Sequence, residues 1–361
     1  MRIALIGVAS VPIMGGLEVH IHQLAHHLLL RGHDVIQYGV RSYRGRVLPR
    51  SSTEGIVPTC RISGTVRLGR YEFYEPSYLW LGMQLSGRQK PDIVHAHCVY
   101  PSGLAAYIAR RLAGVRYVVT SHGDEIMEFG HSHVYGWLKK RSIRKVFGAA
   151  SYSIAVSEEL RQLALALGSP PDVSVRRTNA VDVARYATIL DRTECRQAWN
   201  LPADRPVILG LRRLSRKNGL HYLLRAMARL GDEWKHAMIV LCGDGEMRAE
   251  LEKLGRDLGM AERIRFLGSV PNDRVHELIF ASDMAVFPSL AEATSIACLE
   301  VMACGIPVVV SDVGGLPEIV KHEENGLVVP FGLGASTFRD PGLPDSAIVD
   351  LSRAIERLLV S

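Results

Sequence analysis

The stretch DMAVFPSLAEATSIACLEVMACGIPVVVSDVGGLPE, residues 283–318, decides the fold. The apolar run at its start indicates a buried strand, and a turn carrying Glu292 separates this strand from a helix carrying Glu300. A second apolar run, 306–311, leads into a glycine pair and another helix. Buried strands that alternate with helices are typical of a parallel sheet covered on both faces. Ligands bind outside the carboxyl ends of such strands, so this order of elements predicts a ligand site.

The spacing between Glu292 and Glu300 limits where each can lie. Eight helical residues would separate the two positions by about 12 Å and, at about 100° per residue, place them on different faces. Both carboxylates can face one ligand only if Glu292 lies in the turn before the helix. They are also too far apart to share one proton transfer, so we interpret them as two clamps on one extended ligand. The alternative is that Glu292 merely lies beside a helix cap and Glu300 at a solvated helix position.

The residues that follow Glu292 are expected to open the helix. These are Ala293, Thr294 and Ser295. The first N–H groups of a helix have no partner within it, and they point with the positive end of the helix dipole at an anion or a sugar oxygen. We therefore expect them to bind oxygens of the same ligand.

Length and composition describe a globular chain of two domains. The chain has 361 residues, 47% of them hydrophobic, and no apolar run approaches the 18 or so residues that a membrane span needs. The first residues, MRIALIGVAS, are better interpreted as a buried strand than as a secretory signal. The six cysteines form no CxxC pair and the fourteen histidines no HExxH pair, so we expect free thiols in the cytoplasm and no metal site.

Charge is distributed unevenly between the two halves. Residues 1–180 hold 22 Lys and Arg against 12 Asp and Glu, net +10, whereas the remaining residues carry a net charge of −4. A basic half indicates an anionic partner such as a membrane surface or an acidic acceptor. The basic helix predicted at about 133–147 fits a peripheral membrane contact, although a solvated helix lying on the sheet explains the same pattern.

The amino-terminal half alternates strands and helices around a looser region. The first strand is followed by the glycine pair Gly15 and Gly16 and then by a helix, an order that suits binding of a phosphate. The alternative is that these glycines serve only to pack the strand against the helix. Later strands place His97 and His122 at carboxyl ends, where ligands bind. Before these later strands, residues 39–87 are interpreted as a surface excursion with a packed aromatic turn, and the alternative is a region that faces the acceptor.

The strand–helix alternation starts again at residue 206 and predicts a second domain of the same kind. We expect an α/β protein of two Rossmann-like, doubly wound parallel-sheet domains that face a central cleft. The predicted boundaries are 1–185 for the amino-terminal domain on the acceptor side, 186–205 for a linker, and 206–361 for the domain that binds the donor.

The order of short motifs resembles the retaining, nucleotide-sugar-dependent glycosyltransferases of family 4, which have the GT-B architecture. The most specific element is the E-x7-E motif from Glu292 to Glu300, followed by DVGGLPEIV and NGLVVP. Supporting segments, in chain order, are GGLEVH, DIVHAH, TSHGDE, AVSEELR, NAVD, RRLSRKNG, CGDGEMRAEL and FLGSV. The resemblance covers nearly the whole chain.

The resemblance implies roles for the second domain. Glu300 would hold the two ribose hydroxyls and Glu292 hydroxyls of the donor sugar, while backbone near Gly243 and Leu267 would contact the base. The helix start after Glu292 would bind sugar or phosphate oxygens. The donor would be linked to UDP or GDP.

Cations in RRLSRKNG would neutralise the departing diphosphate. The resemblance implies Arg213 and Lys217 for this role, but the family pattern is Arg-Leu-x-x-x-Lys-Gly, and Lys217 lies one position early. From the first domain, Gly16, beside Gly15, would approach the diphosphate and His122 the donor sugar. Fixed cations and N–H dipoles stabilise a leaving anion, so no metal or other cofactor is expected.

We therefore expect a hexosyltransferase-type glycosyltransferase that moves a sugar with retention onto a hydroxyl of a glycan, lipid-linked or small-molecule acceptor. No nucleic-acid partner is expected. The alternatives are a nucleotide-sugar epimerase on the same fold, a phosphorylase, which would need a lysine-bound cofactor, and a catalytically inactive sugar-nucleotide-binding or scaffold protein. Loss of Arg213, Glu292 or Glu300 would favour the inactive protein, and all three are present.

Overall fold

The fold is described from a computed structural model of the chain. It describes residues 1–10, 15–43, 46–63, 66–68, 71–88, 90–127 and 133–360. The chain divides into two compact units, Met1–Thr178 and Asn179–Ser361. Each unit is an α/β domain with its own sheet, which confirms the predicted fold class of two parallel-sheet domains.

The first unit contains twelve strands in its described part. They are β1 (Arg2–Ile6), β2 (Asp34–Val40), β3 (Ser42–Tyr43), β4 (Arg46–Val47), β5 (Ser51–Glu54), β6 (Val57–Ile62), β7 (Val66–Leu68), β8 (Tyr71–Phe73), β9 (Ile93–His97), β10 (Arg116–Ser121), β11 (Tyr152–Ala155) and β12 (Ser174–Arg176). Eight of these form one sheet in the order β12-β11-β10-β9-β1-β2-β6-β5, and every pairing is parallel except β5 with β6. The strand β1 lies between β2 and β9, which puts the loops after β1, β9 and β10 at one edge.

Six α-helices accompany this sheet in the described ranges of the first unit. They are α1 (Gly16–Leu30), α2 (Glu75–Leu85), α3 (Ser102–Ala113), α4 (Asp124–Met127), α5 (His133–Ala149) and α6 (Glu158–Ala166). The predicted basic helix is α5, whose Ile143, Val146 and Phe147 are buried while Leu138, predicted among its apolar positions, is half exposed. The side of α5 that carries Ile143 therefore packs inward.

The looser region of the first unit is more ordered than the sequence indicated. The aromatic segment, interpreted as a surface turn, contains helix α2 with Tyr78 and Leu81 fully buried. The Tyr78 hydroxyl donates to the carbonyl of Gly7 at 2.7 Å, just beyond β1. The prediction of a turn was wrong because residues 75–85 form a helix, whereas the predicted aromatic packing holds for Tyr78 and not for Trp80, which is half exposed.

The second unit has six strands in one fully parallel sheet. They are β13 (Val207–Leu211), β14 (Met238–Cys242), β15 (Ile264–Gly268), β16 (Met284–Phe287), β17 (Val308–Ser311) and β18 (Leu327–Val329). Their order is β15-β14-β13-β16-β17-β18. The helices are α7 (Arg192–Ala198), α8 (Leu220–Met227), α9 (Arg248–Asp257), α10 (Val275–Phe280), α11 (Ile296–Ala303), α12 (Leu316–Ile319) and α13 (Asp345–Val360).

Two hydrophobic cores, one on each face of this sheet, explain why its strands are apolar throughout. Ile208 of β13 belongs to the core that includes residues of α8 and α13, whereas Val207 and Leu209 belong to the core that includes residues of α10 and α11. Successive side chains of a strand point to opposite faces, so a strand covered by helices on both sides must be apolar at every position.

The segment predicted as the linker, 186–205, belongs to the second compact unit. It contains α7, whose Arg196 is buried and donates to the Asp283 carboxylate at 2.6 Å and to the carbonyl of Ala281. Asp283 also accepts the N–H of Val207 at 2.6 Å, so one carboxylate joins α7 to the starts of β13 and β16.

Candidate functional site

The loops at the carboxyl ends of β16 and β17 pack backbone against backbone in the second unit. Gly314 has a φ of 58°, and a Cβ there would lie 1.7 Å from the Glu292 carbonyl oxygen. The N–H of Gly315 donates to the same oxygen at 3.1 Å. Only glycine allows this approach, so the predicted glycine pair fixes the backbone of Glu292.

A second close approach joins the loops after β13 and β14. Gly243 has a φ of 133°, and its N–H donates to Gly268 O at 2.8 Å, next to Leu267 at the end of β15. A Cβ on Gly243 would lie 2.0 Å from the carbonyl oxygen of Arg212. Gly243 and Leu267 thus lie at neighbouring strand ends, and the basic loop after β13 rests on Gly243.

The Glu292 carboxylate forms an ion pair that sequence reasoning missed. Glu292 lies before α11, as the spacing predicted, and its Oε2 accepts from Nη2 of Arg212. Arg212 Nη1 also donates to Ser289 Oγ at 2.6 Å, and the two charged side chains are only 10% and 11% exposed. The Glu292 carboxylate is therefore nearly buried, with its charge compensated by Arg212.

The two predicted cations lie elsewhere on the same loop. Arg213 is half exposed, with Nη2 3.6 Å from the Glu246 carboxylate. Lys217 accepts the N–H of Leu290 on its carbonyl oxygen at 2.7 Å, and its ammonium lies 4.9 Å from the centroid of the Phe338 ring. The basic loop is thus tied to the loop that carries Glu292, while the Arg213 guanidinium faces solvent.

The segment after β18 packs on the two loops that carry Lys217 and Glu292. Thr337 donates its N–H to the Leu290 carbonyl at 2.7 Å. Asp340 accepts a hydrogen bond from the Tyr222 hydroxyl and lies 2.9 Å from Nε2 of His221, both on α8. Asp340 therefore anchors the segment that places Phe338 against Lys217.

The predicted start of the helix after Glu292 was wrong by three residues. Helix α11 begins at Ile296, and Ala293 and Thr294 lie in the preceding loop. Ser295 is the N-cap, because its Oγ accepts the N–H of Cys298 at 3.2 Å. Serine is among the preferred N-cap residues, since its side chain satisfies one of the open N–H groups.

Glu300 is held by a residue far from it in the sequence. It is 8% exposed on α11, and its Oε1 accepts from the Tyr186 hydroxyl at 2.8 Å. Burial raises the pKa of Glu300, and the Tyr186 hydrogen bond opposes that rise. Burial, with the Glu300 charge beside it, raises the pKa of Tyr186 as well. Glu300 is therefore not at a solvated helix position.

The first unit places the two predicted glycines at a helix start. Gly15 is the N-cap of α1 and Gly16 its first residue, as the sequence predicted. The N–H of Val19 already donates to the Gly15 carbonyl at 3.1 Å. The residues just before the glycines, 11–14, lie outside the described part of the chain.

Histidines from three elements meet at the carboxyl edge of the first sheet. His97 ends β9 and His122 follows β10, as predicted, with His97 Nδ1 3.1 Å from His122 Nε2. His20 of α1 joins them, with ring centroids 5.6 Å and 5.4 Å from those of His97 and His122. Burial lowers the pKa of each of these imidazoles, so all three are neutral near pH 7.

The remaining cysteine and membrane expectations have simple outcomes. All six cysteines are free thiols, as expected. Within the described ranges of the chain, no helix combines the length and the apolar character that crossing a membrane requires.

Both halves of the chain match known family models. Residues 15–179 match the "Glycosyl transferase 4-like domain" and residues 191–338 match "Glycosyl transferases group 1".

Full-length relatives and solved structures agree with these matches. The alpha-D-kanosaminyltransferase of Streptomyces kanamyceticus is 30% identical over 280 residues, which are 74% of this chain and 67% of that protein. An uncharacterized glycosyltransferase of Methanocaldococcus jannaschii is 29% identical over 91% of this chain and 85% of its own length. The Anabaena protein HepE, solved in complex with UDP-glucose, superposes with a TM-score of 0.76 at 21% identity, covering 99% of this chain and 90% of that one. The chain therefore belongs to the group 1, family 4 type of GT-B glycosyltransferases and is a glycosyltransferase.

Proposed function

We propose that the protein transfers a sugar from a UDP- or GDP-linked donor to a hydroxyl acceptor with retention of anomeric configuration and without a metal cofactor. The observation that carries this proposal is the arrangement of charges at the carboxyl edge of the second sheet. There, the nearly buried Glu292 and the buried Glu300 flank the start of α11, and the basic loop after β13 packs on the loop that carries Glu292. HepE, with the same fold, was solved with UDP-glucose.

The nucleotide is proposed to bind around Glu300. A carboxylate accepts two hydrogen bonds at once, which suits the paired hydroxyls of a ribose. The Tyr186 hydrogen bond orients that carboxylate. Backbone groups near Gly243 and Leu267 are proposed to contact the base, because Gly243 has no side chain and its N–H joins the end of β15.

The donor sugar is proposed to bind between Glu292 and the loop that precedes α11. Arg212 orients the Glu292 carboxylate, and its oxygens are proposed to accept hydrogen bonds from sugar hydroxyls. The loop residues Ala293, Thr294 and Ser295 are proposed to contribute backbone N–H groups. His122 is proposed to contact the sugar as a neutral imidazole, whose lone pair stabilises positive charge near the anomeric carbon.

The diphosphate is proposed to leave toward cations. Arg213 and Lys217 supply positive charge, and Gly15 and Gly16 supply the N–H groups at the start of α1. Charge that grows on a leaving group is stabilised most by donors and cations already held in place, so the reaction needs no metal. Arg212 lies on the same loop, but its charge is paired with that of Glu292.

The chemical step is proposed to be a front-face substitution. The bond between the anomeric carbon and the phosphate oxygen breaks, the acceptor oxygen bonds to the same face of that carbon, and its proton passes to the departing phosphate. A double displacement would instead require a carboxylate nucleophile. Glu292 is held by Arg212 and Glu300 by Tyr186, which supports the front-face route.

The acceptor is proposed to meet the basic first unit. Its net charge of +10 over residues 1–180 supports an anionic acceptor or one presented at an anionic membrane surface. The exposed Trp137 and Leu138 beside the charges of α5 support a peripheral membrane contact.

Donor turnover in the presence of EDTA tests the proposal. The protein is incubated with UDP-glucose or GDP-mannose, and release of the nucleoside diphosphate is measured. We expect slow release from one donor, and its loss in Glu292→Ala. The matched control is Glu324→Ala, because Glu324 lies in a turn before β18 and is exposed. Equal turnover in both variants would remove Glu292 from the site, and nucleotide binding without release from any donor would favour an inactive binding protein.

A further inference from the structure

The three histidines at the edge of the first sheet form a compact group that the sequence pattern does not show. One ring nitrogen each of His20, His97 and His122 lies within 4.8 Å of the other two. They come from α1, the end of β9 and the loop after β10, so no short spacing motif links them. Their convergence follows from the sheet order, in which β9 lies between β1 and β10.

The spacing of these rings matches a metal site. Zinc binds imidazole nitrogens at about 2.0–2.1 Å in tetrahedral geometry, which separates two ligand nitrogens by about 3.3 Å. His97 Nδ1 and His122 Nε2 are 3.1 Å apart. The three pairs of ring centroids are 5.6, 5.4 and 5.4 Å apart, close to an equilateral triangle. One ion can contact all three rings once side-chain rotation brings the nitrogens, which lie within 4.8 Å of one another, to about 3.3 Å apart, and a fourth position then remains for water.

The surroundings of the group favour a cation. His97 is fully buried and faces His122 through Nδ1, so Nδ1, rather than the Nε2 that has no hydrogen-bond partner among the described residues, is the nitrogen that it offers to an ion. The Glu125 carboxylate accepts the backbone N–H of His122 at 2.8 Å, so a carboxylate lies beside the loop that carries the His122 ring. The three imidazoles provide nitrogen lone pairs, a ligand type that zinc sites use.

We propose that His20, His97 and His122 together bind one Zn²⁺ ion, and that the bound ion inhibits sugar transfer. Imidazole ligands suit Zn²⁺ among the available divalent ions. The ion is an inhibitor rather than a cofactor, because it occupies the His122 imidazole that the donor sugar is proposed to contact. Zinc binding goes beyond the proposed function and does not depend on it, whereas the inhibition rests on the proposed function.

Binding is tested spectroscopically on the full chain without a polyhistidine tag. Co²⁺ is titrated into the protein, its visible absorption is recorded, and Zn²⁺ is then added to displace it. We expect one equivalent of Co²⁺ with a tetrahedral spectrum, displaced by Zn²⁺, and binding at least about 10-fold weaker in His20→Ala. His27→Ala is the matched control, since His27 is exposed on the same helix, and it should bind as the wild type does. Circular dichroism checks that both variants are folded.

Two results would overturn the site. One is the absence of stoichiometric Co²⁺ or Zn²⁺ binding, and the other is equal affinity in folded His20→Ala and wild type.

Inhibition is measured separately, as diphosphate release with and without Zn²⁺. We expect zinc to stop release by the wild type and by His27→Ala, EDTA to restore it, and residual release by His20→Ala to be insensitive to zinc. Zinc binding without inhibition would overturn the inhibitory role alone. If no donor is turned over even in EDTA, the proposed function fails while the cobalt titration still decides the metal site.

Discussion

The two sheets of this protein end in carboxyl edges of different electrical character. The edge of the first sheet presents the imidazoles of His20, His97 and His122, which burial keeps neutral. The edge of the second sheet presents the charged Arg212–Glu292 pair and the basic loop that contains Arg213 and Lys217. Parallel α/β topology places functional groups at both edges, but the residues on the loops decide the chemistry. We infer that the charged edge holds the nucleotide diphosphate and the neutral edge contacts sugar.

The largest effects on turnover are expected when the cations of the charged edge are removed one at a time. Arg213→Ala should lower turnover by about 100-fold, because it removes a fixed charge from the leaving diphosphate. The thermal stability of Arg213→Ala should stay near that of the wild type, since Arg213 is half exposed.

Arg212→Ala should lower turnover and also destabilise the protein by about 3 kcal/mol, because it leaves the Glu292 carboxylate nearly buried and unpaired. Diphosphate release and thermal unfolding measure the two effects, and equal stability of the two variants would contradict the role given to the Arg212–Glu292 pair.

Replacing His122 tests the neutral edge. His122→Asn should lower turnover by about 10- to 100-fold while the affinity for free UDP or GDP stays unchanged, because the imidazole is proposed to contact the sugar and not the nucleotide. Calorimetry with the nucleotide and diphosphate release from the sugar donor separate these effects. A weaker affinity for the nucleotide alone would place His122 in the nucleotide site instead.

Glu300→Gln should separate function from stability. A hydrogen bond to a charged group contributes about 1.5–3 kcal/mol, so nucleotide affinity should fall by about 10-fold or more. Burial raises the pKa of Glu300 in the folded state above 4.5, its value in the unfolded chain, so folding favours the protonated carboxyl. The free energy of unfolding therefore declines as the pH rises from the unfolded-state pKa through the folded-state pKa. Glu300→Gln, which carries no charge, should therefore unfold at a higher temperature than the wild type at pH 8, and the difference should vanish below about pH 4.5. A variant less stable than the wild type at pH 8 would contradict this account.

The smallest effect is expected at Phe338, which lies under the Lys217 ammonium. Contact of an ammonium with an aromatic ring contributes about 0.5–1 kcal/mol at exposed sites. Phe338→Leu should lower turnover by about 2- to 5-fold. Phe338→Tyr should keep the turnover of the wild type, because it keeps the aromatic ring. If the leucine variant matches the wild type, Phe338 does not position Lys217.

The features that follow from local pattern could be predicted from the sequence. Apolar runs and glycine pairs identified two parallel sheets, and the spacing of Glu292 and Glu300 placed Glu292 before α11. The N-cap at Ser295 was missed although its residue type is a signal, because the apolar helix was extended back to the turn.

Partners from distant segments could not be predicted in this way. Tyr186 reaches Glu300 across 114 positions, and His20 reaches His122 only because β1 lies beside β9. Arg212 and Arg213 are adjacent residues of the same type, and it is Arg212 that pairs with Glu292. That choice depends on the path of the backbone after β13, where the Arg212 carbonyl packs on Gly243. Sequence alone contains no distance that decides between them.

Proton NMR of the first sugar released from the donor tests the central claim most directly. UDP-glucose and GDP-mannose both carry α-linked sugars, and slow hydrolysis in EDTA uses water in place of the acceptor hydroxyl. The account predicts that the α anomer of the free sugar appears first, together with the nucleoside diphosphate, before mutarotation mixes the anomers. The β anomer appearing first would contradict front-face substitution and retention.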